Sequence, residues 1–309
     1  MTSIRRILYA TDLSPASDAA WATAQVVGRL FDAEIVALTL VARIVSPAVE
    51  YLPPRVIDEA LAAADRAARE GLARVIEGRV PPTLRVRSRV EGGPAADGIV
   101  DAAREEGAAL IVMGTHGRTG LGRVVLGSVA DRVVRLAPCP VLTVRARPGA
   151  APTARPIRRI CHATDFSPSG RAAWSWALAF AEAAGAEIDL LHVTPHAVPD
   201  RYLPLEIVAL MAQGLRQEAE ARAEEFVRQA PLGRERIHVV IPSGEPGVEI
   251  VTWAQARDAD LIVMGTHGRS GLARWMLGSV AHHVVPSAPC PVVTVGPEVW
   301  ATATREARP

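Results

Sequence analysis

The chain has no lysine: its 34 basic residues are all arginine, set against 33 acidic ones, for a net charge of +1. Schiff-base chemistry, a phosphate-binding P-loop lysine and a Ser–Lys pair are therefore excluded. Near-neutrality also removes the strong field that would favour nucleic acid or an anionic membrane. Cysteine is scarce, with only Cys139, Cys161 and Cys290, far apart and odd in number. That excludes a disulfide framework and a C-x-x-C zinc site, and it suits a reducing cytoplasm. No apolar run approaches the roughly 20 residues that span a bilayer. The opening "MTSIRRILYATDLSP" does not read as a secretory signal. A cytoplasmic protein without membrane or nucleic-acid partners is expected.

What is present is one unit written twice. "ATDLSP" (10–15) returns as "ATDFSP" (163–168), and residues 112–144 match 263–295 at 24 of 33 positions. The expected organisation is domain 1 over 1–145, a linker over 146–156, domain 2 over 157–296 and a tail over 297–309. The linker, rich in Pro, Ala and Arg, lacks apolar periodicity.

Within each half, strands alternate with helices. In the first, "IRRILYA" reads as a strand, followed by Ser14 as N-cap, Pro15 at the first helical position and a helix over 16–31. "AEIVALTLV" is a second strand, 55–78 a long amphipathic helix and "LRVRSRVEG" a third strand. A helix near 94–107, the strand "AALIVMG", a glycine-rich loop, a helix from about 128 and the strand "PVLTV" complete the unit. The fold class is α/β: two tandem five-stranded parallel sheets with helices on both faces, Rossmann-like, in strand order 3-2-1-4-5. Arg85, Arg87 and Arg89 alternate along the third strand. They read either as the charged face of an edge strand or as a nucleic-acid stripe, and the stripe lacks neighbouring aromatics.

In such a sheet, ligands bind beyond the carboxyl ends of the strands where the order reverses, between strands one and four. "TDLSP" and "GTHGRTG" both fall there. Gly114 and Gly117 allow close backbone approach, and Gly127-Ser128 opens a helix with Ser128 as expected N-cap. A helix start offers free N–H groups and a positive dipole end to an anion. Gly122-x4-Gly127-Ser128 has P-loop glycine spacing, with Ser where Lys belongs and Ala273 for Gly122 in the second half, so it is no Walker loop. G-x-G-x-x-G is absent after strand one.

Both halves resemble universal stress protein domains, and the chain resembles the tandem type. The ATP-binding members carry G-x2-G-x9-G-[S/T], here Gly114-x2-Gly117-x9-Gly127-Ser128 and Gly265-x2-Gly268-x9-Gly278-Ser279. The resemblance implies ATP, two per chain, with magnesium or manganese as accompanying ions. It places Ala10, Thr11, Asp12, Ala163, Thr164 and Asp165 at the adenine or ribose, with Leu40 and Val193 against the base. Met113 and Met264 precede the glycines near the base, and the glycines with Ser128 or Ser279 hold ribose and phosphates. It also implies an intrachain pseudo-dimer through "PVLTV" and "PVVTV". Whether chains pair further is open, as is any protein partner.

Other residues admit two readings. Asp12 and Asp165 are either helix-start acids or ligands. His116 and His267 are turn residues or contacts to phosphate or a divalent ion. Arg118 and Arg269 suit phosphate oxygens but are also ordinary exposed arginines. Cys139 and Cys290, each in "APCPV", read as thiols packed inside the entry to strand five or as a redox switch. Adjacent His282 and His283 point apart on a helix and make a poor metal pair. Trp275 covers the second loop or the nucleotide. With no obvious general base or metal cluster, a nucleotide-dependent regulator in stress response is expected. The alternatives are a slow ATPase or nucleotidyl-transfer enzyme, with Asp12, His116 and Ser128 as its candidate groups, and a pure assembly module.

Overall fold

The computed structural model describes residues 4–41, 52–77, 80–115, 126–146, 155–195, 204–268 and 277–296. His116, Gly117, Arg118, Gly122, Arg269, Ala273 and Trp275 lie outside the described residues, as do most of the linker and the whole tail. The chain divides into two compact units between Arg155 and Pro156.

The first unit runs β1 (Arg6–Thr11), α1 (Asp18–Leu30), β2 (Glu34–Val41), α2 (Pro54–Ile76), β3 (Val86–Gly92), α3 (Ala95–Glu105), β4 (Leu110–Gly114), α4 (Ser128–Leu136) and β5 (Val141–Val144). The second repeats it as β6 (Arg159–Ala163), α5 (Pro168–Ala184), β7 (Glu187–Leu191), α6 (Leu205–Arg228), β8 (Ile237–Val240), α7 (Pro246–Ala256), β9 (Leu261–Gly265), α8 (Ser279–Ser287) and β10 (Val292–Val295). Within the units the strands lie in the orders β3-β2-β1-β4-β5 and β8-β7-β6-β9-β10, and each neighbouring pair is parallel.

Successive residues of the central strands are buried, among them Ile7, Leu8, Tyr9, Leu110 and Ile111. Burial at consecutive positions means that both sheet faces are covered, as parallel sheets require. In the first unit α1 packs on β1, β4 and β5, α2 on β2 and β3, and α3 on β1, β2 and α4.

Two local readings need correction. The helix expected over 16–31 begins as a 3-10 turn, Pro15–Ser17, and becomes α-helical only at Asp18. The Ser14 hydroxyl caps nothing, because it donates to Asp12 Oδ1 at 2.6 Å. The second unit keeps the expected start: Ser167 accepts from the Gly170 N–H at 3.2 Å, with Pro168 at the first helical position.

The arginines of β3 are held by carboxylates. Arg87 Nε donates to Glu34 Oε1 at 3.1 Å and Arg89 Nη1 to Glu106 Oε1 at 2.7 Å. Further bonds join Arg87 to Glu106, and Arg89 to Glu91 and Glu105. The Arg87 and Arg89 guanidiniums hold Glu106 below the usual carboxylate range against the opposing effect of burial. This is the charged face of an edge strand.

The strands of the second unit contain a polar residue where those of the first are apolar. Asp189 on β7 is buried, accepts from Trp253 Nε1 at 3.0 Å and faces Arg257 Nε at 3.5 Å. Beside it on β6 lie Cys161 and the buried His162.

Candidate functional site

The strand register brings the two sequence motifs together. Ala10 pairs with Met113 and Ala163 with Met264, so the Thr-Asp turn and the glycine loop leave the sheet from adjacent points. That is where the strand order reverses. All four of these residues are buried.

The turn after the first strand of each unit is strained. Leu13 and Phe166 have φ of 63° and 61°, the left-handed region that bulky residues rarely occupy. Side chains on either side hold them there. The Leu13 N–H donates to Thr11 Oγ1 at 3.0 Å and the Ser14 N–H to Asp12 Oδ1 at 3.1 Å. In the second unit, the Phe166 N–H donates to Thr164 Oγ1 and the Ser167 N–H to Asp165 Oδ1, both at 3.0 Å. The Phe166 ring is seated 4.6 Å from the His192 ring and 5.3 Å from that of Phe226 on α6. The Thr hydroxyls and one oxygen of each Asp carboxylate thus shape the turn.

The second glycine loop shows why its described glycines are glycines. A Cβ on Gly265 would lie 2.8 Å from Ser169 Oγ, and one on Gly268 would lie 3.0 Å from Asp165 Oδ2. A Cβ on Gly278 would lie 2.8 Å from the Thr266 carbonyl oxygen, which accepts the Gly278 N–H at 2.9 Å. In the first unit, the Gly127 N–H donates to the Thr115 carbonyl at the same distance. The described ends of each loop are therefore joined by a backbone hydrogen bond.

The helix starts need a correction. Gly127 and Gly278 are the N-caps, while Ser128 and Ser279 are the first helical residues. The bond to Thr115 or Thr266 places the glycine at the half-in position, and its carbonyl takes the first helical bond, from Asp131 or His282. Neither glycine supplies a side-chain acceptor, so among the described residues the first turns of α4 and α8 keep their dipole ends without a side-chain cap.

His267 Nδ1 lies 2.8 Å from Thr266 Oγ1, and its Nε2 is buried without a hydrogen-bond partner among the described residues. The His267 carbonyl accepts from Ser169 Oγ. Leu40 is half-buried with its tip against Gly98 of α3, and Val193 is buried just beyond β7. Sequence reasoning missed Ser169, which has no counterpart hydroxyl at Ala16, and the left-handed Leu13 and Phe166.

The remaining candidates stand apart. Cys139 is buried, and burial pushes its thiol up to about 12, far from a reactive thiolate. Cys290 is only half-buried, which corrects the reading that both thiols pack inside. His282 and His283 are exposed on α8, with His283 against Gly247 of α7. The described residues hold no group of three His, Cys, Asp or Glu side chains that could bind a metal, and no helix among them is long and apolar enough to cross a membrane.

Comparisons with known proteins match this architecture. The model of the universal stress protein family matches residues 3–145 and again 156–296. A universal stress protein of Mycolicibacterium smegmatis is 28% identical over 94% of this chain and 97% of its own length. One from Mycobacterium tuberculosis is 31% identical over 68% of each chain. The crystal structure of a universal stress protein from Archaeoglobus fulgidus superposes with a TM-score of 0.65 at 22% identity, covering 96% of this chain and 98% of that one, which shows a common fold. With one family domain matched in each half, the chain belongs to the universal stress protein family.

Proposed function

We propose that each unit binds one ATP and that the chain acts as a nucleotide-dependent regulator in the stress response, in the cytoplasm. The observation that carries this reading is the meeting of carboxylate and glycine loop at the strand-order reversal: Asp165 Oδ2 lies 3.0 Å from where a Cβ on Gly268 would stand. A side chain there would fill the space beside the carboxylate.

The residues present suit a nucleotide. Asp12 and Asp165 would accept hydrogen bonds from ribose hydroxyls or the adenine amine. The apolar floor of Ala10 with Met113, or Ala163 with Met264, would take the base. The starts of α4 and α8 would take phosphate oxygens through backbone N–H groups, without lysine. Arg118 and Arg269 would add guanidinium contacts, and magnesium or manganese would neutralise remaining phosphate charge. Binding would order the loop and change the surface offered to partners.

Isothermal titration of the full chain with ATP tests the reading. Two ATP per chain are expected, and Asp12→Asn or Asp165→Asn should each remove or weaken one of them about 10- to 100-fold, the value of a hydrogen bond to a charged acceptor. No binding to the wild type, or two sites indifferent to both substitutions, would refute it. Sustained turnover of many ATP per minute would replace the regulator with an enzyme.

A further inference from the structure

The two units differ at one hydroxyl, and the difference falls on the loop. The first unit reads Ser14-Pro15-Ala16-Ser17 and the second Ser167-Pro168-Ser169-Gly170. In the first, the hydroxyl belongs to Ser17 and turns inward: it lies 2.8 Å from Thr11 Oγ1 and donates to the Ser14 carbonyl at 2.6 Å. The Ser17 carbonyl in turn accepts from Tyr9 at 3.1 Å. In the second, Gly170 leaves no side chain there, and a Cβ would come 2.7 Å from Thr164 Oγ1. The hydroxyl has moved one residue back, to Ser169. It lies 3.0 Å from Ser167 Oγ and donates across 98 residues of sequence to the His267 carbonyl, inside the glycine loop.

The consequences run through the local fold. The inward Ser17 goes with a 3-10 start, while the second unit has a regular α-turn capped by Ser167. Gly265 admits Ser169 beside it, since a Cβ there would lie 2.8 Å from the hydroxyl. Ala16 has no donor with which to make the equivalent bond.

We infer that Ser169 is a positioning residue that fastens the His267 end of the second glycine loop to α5, so that the two nucleotide sites of the chain are unequal, the second being held there in advance and the tighter. The inference rests on the nucleotide reading above. A loop tied down before binding pays less ordering entropy when the ligand arrives. One hydrogen bond of ordinary net strength corresponds to roughly a five- to tenfold difference in affinity.

Two measurements on the full chain test it. Amide hydrogen exchange without nucleotide should show His267 and Gly268 losing protection in Ser169→Ala, with the β9 amides unchanged. Titration with ATP should resolve a tight and a weak site. Asp165→Asn should remove the tight one, Ser169→Ala should weaken it five- to tenfold, and Ala16→Ser should tighten the weak one. Far-UV circular dichroism and thermal unfolding check that each variant is folded. Two equal sites that ignore Ser169→Ala, or unchanged loop exchange in that variant, would overturn the inference while leaving the nucleotide reading standing. Absence of ATP binding in wild type would instead sink the reading on which it rests.

Discussion

His162 should make the second unit acid-labile, beginning at a pH above that at which carboxylates protonate. Its ring is fully buried in β6, with Nδ1 3.1 Å from the Val263 carbonyl oxygen and the Trp174 ring tilted against it at 5.1 Å. The Val263 contact assigns the proton to Nδ1, leaving Nε2 buried without a hydrogen-bond partner among the described residues. Burial pushes the imidazole down to about 3 from an ordinary 6.5, with the Val263 bond opposing. Between those values the unfolded chain holds a proton that the folded chain refuses. Stability is therefore full above about 6.5 and falls as pH drops toward 3. Each pH unit in that window costs about 1.4 kcal/mol, so about 2 kcal/mol is lost by pH 5 and about 5 by pH 3.

The perturbation is His162→Phe, which keeps a ring against Trp174 and removes the titration. It also removes the bond to Val263, costing about 1 kcal/mol at neutral pH. Wild type should thus be the more stable above roughly pH 6 and the variant below it. Urea unfolding followed by tryptophan fluorescence reads this directly, since Trp21 is the sole tryptophan of the first half and the other five lie in the second. Parallel stability–pH profiles for the two proteins would refute the reasoning, because the acid lability would then come from other groups.

Three further outcomes follow from the geometry. Glu106→Gln should destabilise the first unit by about 1 kcal/mol at pH 7, since it loosens both Arg87 and Arg89. Because Glu106 is held below its ordinary 4.5, that deficit should persist at pH 5 and close only as wild-type Glu106 protonates below it, checked by thermal unfolding across that range. Gly278→Ala, which sets a methyl 2.8 Å from the Thr266 carbonyl oxygen, should cost about 1–3 kcal/mol in the second unit and weaken its nucleotide site, read by urea unfolding and titration. Iodoacetamide at pH 8 should leave Cys139 unmodified in the folded chain, with labelling appearing only on unfolding.

Much of this was legible in the sequence because it rests on periodicity and repetition. The duplicated "ATD-x-SP" and glycine loops gave the two units. The alternation of strands with helices implied parallel strands, and the assumed order put Asp12 and Gly114 at one edge of the reversal, where Ala10 and Met113 are paired. The glycine spacing was legible but its full cause was not. Gly278 is required by the Thr266 carbonyl beside it as much as by any ligand, a contact between residues 12 apart that no local pattern encodes. Leu13 and Phe166 were invisible because left-handed positions are read from glycine or asparagine, whereas here Thr and Asp side chains hold bulky residues there. Ser14 and Ser167 stand in the same words and act differently, since the capping hydroxyl is set by what its neighbours leave free. Asp189 replaces an apolar strand residue, and the partners of its Oδ2, Trp253 and Arg257, are tertiary neighbours that no local pattern encodes.

Native mass spectrometry of the full chain with excess ATP tests the central claim most directly, because it counts ligands on an intact molecule of 32.8 kDa. The account predicts a species carrying two ATP, reduced to one by Asp12→Asn or by Asp165→Asn and to none by both. A chain that stays free of nucleotide, or that keeps two ATP after both substitutions, would contradict it.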